Sequence, residues 1–132
     1  MIFLDTDIIS YYFNGNKKVT DNLIKAFKSD EPVAITIINV YEILKGLKYK
    51  GNEKKIKHFE KLLKHLLIFS LDDNVISEGS EIYSNLRKKG VSISDADILI
   101  AATVIKNNGT LISNNTKHYK NIINLKLKNW TK

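Results

Sequence analysis

Short runs of apolar residues recur along the chain and alternate with longer stretches of mixed polarity. The first four runs are four to six residues long and rich in Ile, Leu, Val or Phe, which is typical of strands buried on both faces of a sheet. The shortest pattern, near the C-terminus, predicts a possible fifth strand. The predicted strands cover residues 1–4, 33–37, 66–71, 110–113 and 125–127.

The stretches between these runs carry apolar residues at three- and four-residue spacing, which predicts helices. A first helix is expected to begin near Ile8, directly after the first strand. Pro32 and the glycines at 90 and 109 are expected to end helical segments. The other predicted helices cover residues 19–28, about 39–47, 53–66, 73–89 and 94–108, with a short one at 116–122.

This alternation of strands and helices predicts one α/β domain over residues 1–132. The expected architecture is a three-layer α/β/α sandwich with a central, mainly parallel sheet of four or five strands. Ligands of such sheets bind beyond the carboxyl ends of the strands, where connections diverge to opposite faces. This rule predicts that Asp5 and the residues after Ile112 lie at the same edge.

Composition narrows the classes of function. The chain has 21 Lys and Arg against 14 Asp and Glu, a net charge of +7, which favours a polyanionic partner. It has no Cys, so disulfides, thiolate metal sites and cysteine nucleophiles are excluded. The longest strongly apolar stretch, 98–105, is far shorter than the roughly 20 residues that span a bilayer. No signal peptide is apparent at the start, so we expect a cytoplasmic protein.

Three acidic residues stand where a predicted strand ends or a predicted helix begins: Asp5, Glu42 and Asp97. Carboxylates gathered within a few Å of one another repel, so they either raise a pKa or hold a divalent cation. Each position also has a structural interpretation. Asp5 could cap the first helix, although Asp7 is the better placed cap. Glu42 and Asp97 follow Asn39 and Ser94 by three residues, which is the spacing of a capping box.

Two acids near the predicted sixth helix, Asp95 and Asp97, cannot face the same way because they are two residues apart. Asp97 shares its helical face with Ile100, Ala101 and Val104, which predicts that it points towards the sheet. Asp95 is expected to interact mainly with the helix dipole, with a supporting role at the site left open.

Four segments resemble motifs of the PIN domain family and occur in the order and spacing of that family. They are MIFLDTDII, TIINVYEILKG, SDADILIAA and LISNNTKHY, followed by a final NW. The most similar branch comprises the VapC-type toxin ribonucleases of prokaryotic toxin–antitoxin pairs. The resemblance implies that Asp5, Glu42 and Asp97 gather Mg²⁺, or Mn²⁺ in its place, for hydrolysis of RNA phosphodiester bonds. It also implies cleavage to a 5′-phosphate and a 3′-hydroxyl, a cognate antitoxin as partner, and a homodimer.

The fourth segment departs from many members of this family, which carry an acid after the fourth strand. Here the sequence is Ser113-Asn114-Asn115, and Asn115 matches the acidic position. Asparagine offers a carbonyl oxygen but no charge, which weakens the case for a tightly bound second metal ion. The candidate supporting residues are Thr6, Asp95, Ser113 and Asn115.

Eight lysines lie between residues 45 and 64, and among them Lys45, Lys54, Lys55 and Lys57 are candidate RNA contacts. A solvated helix face explains them equally well. For three aromatic residues in or near this stretch, Tyr41, Tyr49 and Phe59, we favour core packing over base stacking. The histidines lack zinc-site spacing, although His118, within the fourth segment, is the one closest to the proposed site and could contact a phosphate.

Two other functions are compatible with parts of the sequence. The LDTDII segment resembles the opening D-x-D of haloacid-dehalogenase phosphatases, but no acid follows Ser113, where that family needs an acidic pair. A degenerate domain that keeps the fold and binds nucleic acid or a protein without cleavage is the second alternative, and the missing fourth acid is its support.

Overall fold

The computed structural model describes residues 1–132 and contains one five-stranded sheet, with all four strand pairs parallel. The strand order is β3-β2-β1-β4-β5, with β1 in the centre. All five predicted strands are present, each within a few residues of its expected bounds. The strands are β1 Ile2–Leu4, β2 Val33–Thr36, β3 Leu67–Phe69, β4 Thr110–Ile112 and β5 Lys126–Lys128.

Seven helices connect the strands. They are α1 Thr6–Phe13, α2 Lys17–Lys28, α3 Ile37–Tyr49, α4 Glu53–Leu63, α5 Asp73–Lys88, α6 Asp95–Lys106 and α7 Thr116–Tyr119. The prediction for α3 was wrong at its start, because Thr36 rather than Asn39 is the N-cap. None of these helices combines the length and the apolar character needed to cross a membrane.

The sheet separates two hydrophobic cores, which confirms the predicted three-layer sandwich. Side chains alternate across β1, so Ile2 and Leu4 pack on one face and Phe3 on the other. The first core includes residues of α1 to α4, and the second includes residues of α5, α6 and α7. Gly109 lies against the second core, where an added Cβ would come within 2.5 Å of the Phe3 ring.

Chain connections diverge at the centre of the sheet. After β1 the chain enters α1, which packs on the first face. After β4 it enters α7, whose Tyr119 packs on the second face. Because β1 and β4 are adjacent and parallel, their carboxyl ends open into a crevice between the two connections. Asp5 and Ser113 are the first residues beyond these two strand ends.

Candidate functional site

A cleft of about 660 Å³ opens at this crevice. It is surrounded by the segments that follow β1 and β4, by α1, by α3 beyond its first turn, and by the first turn of α6. All three acids that the sequence singled out line this one cleft, although they are separated by up to 92 residues in the chain (97 minus 5). The lining residues are Asp5, Thr6, Asp7, Ser10, Tyr11, Asn14, Glu42, Lys45, Asp97 and Asn115.

Asp5 is nearly buried, and its carboxylate is held by three donors. Oδ1 accepts from the Thr6 backbone N–H at 2.9 Å and from Asn39 Nδ2 at 3.0 Å, and Oδ2 accepts from Ser113 Oγ at 2.8 Å. Asp5 is thus the N-cap of α1, and the assignment of that cap to Asp7 was wrong. Burial raises the pKa of Asp5 and the charge of Asp97 adds to the rise, whereas the three hydrogen bonds oppose it.

Asn39 connects two of the site elements, a role that no pattern in the sequence predicted. It is fully buried, and its Nδ2 donates to both Asp5 Oδ1 and Thr6 Oγ1 at 3.0 Å. Its Oδ1 accepts from Thr36 Oγ1 at 2.7 Å, and Thr36 Oγ1 in turn caps the backbone N–H of Asn39. Because every polar atom of this buried amide has a partner, Asn39 keeps the Asp5 carboxylate in one orientation.

Glu42 reaches the cleft from the second turn of α3. Its Oε1 accepts from Thr6 Oγ1 at 2.8 Å, so its carboxylate faces α1. The capping-box interpretation of Glu42 was wrong, because the helix begins at Ile37 and Glu42 lies beyond its first turn. Thr6 therefore links Glu42 to the Asp5–Asn39 network through a single hydroxyl.

Asp97 faces the cleft from the first turn of α6. The Ser94 cap is confirmed, since Ser94 Oγ accepts from the Asp97 backbone N–H at 3.1 Å. The Asp97 carboxylate itself accepts from the Tyr119 hydroxyl at 3.2 Å and lies 3.2 Å from His118 Nδ1. Burial and the charges of Asp5 and Asp97 raise the pKa of Tyr119, so this hydroxyl remains a neutral donor. Asp95 is exposed and borders other surface depressions, with Tyr83 and Ile98.

Asp7 is a site residue that the sequence analysis missed. Its Oδ2 accepts from the Asn114 backbone N–H at 3.0 Å, and its Oδ1 is buried without any hydrogen-bond partner. Burial raises the pKa of Asp7 to about 6, and the nearby charge of Asp5 contributes to the rise. The DTD spacing pointed to a cap, and only the approach of the loop after β4 shows that the second acid is enclosed.

The raised pKa of Asp7 predicts how the stability of the metal-free protein depends on pH. A folded-state pKa of about 6 against an ordinary 3.8 means that the folded protein binds this proton more tightly. The stabilisation is therefore full below pH 3.8 and is lost as the pH rises through about 6. After discounting for solvent near the group, we expect the free energy of unfolding to fall by ~1–2 kcal/mol across this window.

Urea unfolding in EDTA at several pH values between these limits measures this effect. Asp7→Asn should flatten the pH dependence, whereas Asp95→Asn, at an exposed position, should leave it unchanged. Identical pH profiles for wild type and Asp7→Asn would contradict the prediction.

The segment after β4 supports the cleft from the side opposite α3. Ser113 is buried, and its Oγ both donates to Asp5 and accepts from the Asn115 backbone N–H at 3.0 Å. Asn115 is exposed at the N-cap position of α7, where its side chain makes no capping bond, and its Nδ2 lies 2.8 Å from His118 Nδ1. The side chain of Asn114 is held by the C-terminal segment, because its Oδ1 accepts from Asn129 Nδ2 at 3.0 Å.

The candidate RNA-binding lysines occupy different surroundings. Lys45 lines the cleft, and Lys55 lines an adjoining groove between α1 and α3. Lys54 and Lys57 are exposed on α4 and border neither.

The aromatic residues of this stretch also differ in their surroundings. Phe59 is fully buried, as predicted. Tyr41 and Tyr49 are 63% and 92% exposed, so the prediction that they pack in the core was wrong. Both lie on the outer side of α3, away from the buried Val40 and Ile43.

Comparison with known proteins places this geometry in a family. Residues 2–122 match the PIN domain. The chain is 32% identical over 130 residues to Ribonuclease VapC2 of Rickettsia felis, covering 98% of this chain and 97% of that protein. It is 31% identical over 131 residues to Ribonuclease VapC1 of Methanocaldococcus jannaschii, covering 99% and 88%.

Solved structures agree with the sequence comparison. The structure of VapBC2 from Rickettsia felis bound to a promoter DNA fragment superposes with a TM-score of 0.90 at 31% identity, covering 98% of this chain and 99% of that chain. VapBC-1 from nontypeable Haemophilus influenzae superposes with a TM-score of 0.87 at 26% identity, with full coverage of both chains. The resemblance predicted from four sequence motifs is thereby confirmed, and this chain belongs to the PIN domain family.

Proposed function

We propose that this chain is a metal-dependent endoribonuclease and the toxin of a toxin–antitoxin pair. The observation that carries the proposal is the convergence of Asp5, Glu42 and Asp97 on one cleft at the carboxyl edge of the sheet. These acids come from three separate elements of a PIN-family chain whose relatives are named Ribonuclease VapC. The surplus of basic residues elsewhere suits a polyanionic substrate.

The residues of the cleft fit a hard divalent cation such as Mg²⁺. Their donors are carboxylate oxygens, and the buried Asp7 Oδ1 has no hydrogen-bond partner, as expected beside a cation site. As the side chains stand, no group of three or more His, Cys, Asp or Glu residues is arranged to bind a metal ion. Each acid is instead held by neutral donors, such as the Thr6 hydroxyl on Glu42 and the Tyr119 hydroxyl on Asp97.

In this proposal Asp5 and Asp97 hold the cation directly, and Glu42 is a further ligand or orients the attacking water. A bound divalent cation lowers the pKa of a water and offsets charge developing on the scissile phosphate. The neighbouring side chains contribute by holding these acids in place. Asn39 and Ser113 keep Asp5 in one orientation, and Tyr119 does the same for Asp97. Lys45 at the rim supplies positive charge for the phosphate backbone.

The partner is proposed on the same basis. Similar structures include the VapBC complex of Rickettsia felis and FitAB bound to a DNA fragment, the latter with a TM-score of 0.86 at 26% identity. We propose that a cognate antitoxin covers the cleft of this chain and that the toxin forms a homodimer.

The test is cleavage of a fluorescent single-stranded RNA by the purified chain, free of antitoxin. We expect cleavage in Mg²⁺ or Mn²⁺, loss of cleavage in EDTA and recovery when the metal ion is restored. The fragments should carry a 5′-phosphate. RNA binding without cleavage at any metal concentration would contradict the proposal and favour the degenerate binding domain. Hydrolysis of a small phosphate monoester without RNA cleavage would instead favour the phosphatase alternative, which the PIN match argues against.

A further inference from the structure

An exposed aromatic residue and a lysine form a pair at the rim of the acidic cleft. Tyr41 precedes Glu42 in α3 and is 63% exposed. Lys45 lies one helical turn further on, with its Nζ 5.1 Å from the centre of the Tyr41 ring. Lys45 also lines the cleft together with Asp5, Glu42 and Asp97. Lys45 therefore lies in the cleft with the carboxylates, and Tyr41 contacts Lys45 from outside the cleft lining.

Tyr41 is exposed because of the way α3 is oriented against the core. Val40 and Ile43 turn into the core, and Glu42 turns towards Thr6, so Tyr41 is left on the outward side. A tyrosine left 63% exposed loses most of the free energy that its burial would contribute. The nearest cation covers part of the ring by a cation–π contact, and the remaining ring surface is open to solvent.

Lys45 is the one positively charged residue in a cleft whose other charged residues are acidic. Four of the residues that line the cleft are acidic, namely Asp5, Asp7, Glu42 and Asp97, and Lys45 is the only basic one. Such a cleft repels a phosphate backbone unless cations offset its charge. Lys45 is thus the residue of the chain placed to attract a phosphate group next to the acids. An aromatic ring can stack on the base of a nucleotide, and a positive charge beside the ring can bind the phosphate of the same nucleotide.

We propose that Tyr41 and Lys45 form a nucleotide subsite, in which Tyr41 stacks on an unpaired base next to the scissile bond and Lys45 binds the adjoining phosphate. This inference rests on the proposed ribonuclease function and deepens it, because it names unpaired RNA as the substrate. A base within a duplex is stacked on its neighbours and cannot offer its face to Tyr41. The subsite therefore selects single-stranded segments and tolerates any base, since every base has a stacking face.

Steady-state cleavage of a short single-stranded RNA in saturating Mg²⁺ or Mn²⁺ tests the tyrosine. Tyr41→Ala should raise KM about tenfold, within the range found for loss of one base stack, with kcat changed less than about threefold. Tyr41→Phe should restore the wild-type KM, because the ring is kept. Tyr49→Ala is the matched control, since Tyr49 is on the same helix and 92% exposed but makes no cation–π contact with Lys45.

The lysine is tested by the salt dependence of RNA binding. Lys45→Ala should lower the slope of log affinity against log salt by about 0.7, the value for one lost contact with single-stranded phosphate. Lys45→Arg should keep the slope, and Lys48→Ala, exposed on the same helix away from the cleft, should not change it.

Three outcomes would overturn the inference. The first is an unchanged KM in Tyr41→Ala, and the second is an equal rise in Tyr49→Ala. The third is a Tyr41→Ala variant whose RNA kinetics are intact but whose self-association or antitoxin binding is weakened, which would assign this face to a protein partner. Failure of the proposed function is distinguishable, because the wild type would then cleave no RNA. RNA affinity, measured by fluorescence anisotropy for the same variants, would still decide whether the pair binds a nucleotide.

Discussion

Replacement of Asp5 with Asn is expected to abolish RNA cleavage while the chain remains folded. Loss of one charged ligand from a cation site removes several kcal/mol of transition-state stabilisation, so we expect a fall in kcat/KM of at least ~100-fold. Asparagine has nearly the same shape as aspartate. Its Oδ1 can still accept from the Thr6 N–H and Asn39 Nδ2, and its amide can donate to Ser113 Oγ.

The same substitution should not destabilise the metal-free protein. Burial and the charge of Asp97 raise the pKa of Asp5, because both disfavour its ionised form in the folded protein. Removing that charge relieves both effects, and we expect an unchanged or higher melting temperature in EDTA at pH 7.

Circular dichroism, thermal unfolding and the RNA assay together check this expectation. Full cleavage by Asp5→Asn at saturating Mg²⁺ would exclude Asp5 as a metal ligand. Loss of the folded state would contradict the expected stability, because asparagine still accepts from the Thr6 N–H and caps a helix about as well as aspartate.

Asp97→Ala is expected to lower kcat/KM by at least ~100-fold, whereas Asp95→Ala should lower it less than about threefold. Both acids lie in the first turn of α6 and interact similarly with the helix dipole, which contributes ~0.3–1 kcal/mol at such positions. Their side chains point in different directions. Asp97 lines the cleft, whereas Asp95 borders other surface depressions. Asp95→Ala is therefore a matched control for Asp97→Ala.

A loss of activity caused by unfolding has to be distinguished from a loss caused by removal of the carboxylate. Asp97→Ala leaves the buried Tyr119 hydroxyl without its acceptor, which costs ~1–3 kcal/mol if no water replaces it. Both variants should be assayed at a temperature where circular dichroism shows each of them folded. Equal losses of activity, or a larger loss in Asp95→Ala, would show that the wrong carboxylate has been assigned to the site.

Much of the fold was predictable from the sequence because its signals are local. A strand that is buried on both faces is apolar at most positions, so β1, β2 and β4 were visible as short, mainly apolar runs. Alternation with helices then implied parallel pairing, and parallel pairing placed the residues after β1 and β4 at one edge. The position of Asp5 and the inward direction of Asp97 followed from strand ends and helical periodicity alone.

The partners of the side chains were not predictable in this way, because they come from segments far apart in the chain. Asp5 is held by Ser113, which is 108 residues away in the chain, and by Asn39, which is 34 residues away. Neither contact can be predicted from the residues next to Asp5. Read locally, Asp5 and Asp7 are both potential caps, with Asp7 the better placed, and the local sequence does not show which acid is enclosed. Only the loop after β4, which encloses Asp7 and leaves its Oδ1 without a partner, distinguishes the two.

Exposure was also decided by tertiary structure. The sequence placed Tyr41, Tyr49 and Phe59 in two neighbouring helices, and aromatic residues are buried more often than not. Whether each is buried depends on how its helix is rotated against the sheet, and that rotation is set by the packing of Val40, Ile43 and their neighbours. The sequence by itself therefore determined the layers, the sheet edge and the family. The tertiary structure decided which donors hold each carboxylate and which aromatic ring remains free beside the cleft, because both depend on contacts between distant segments.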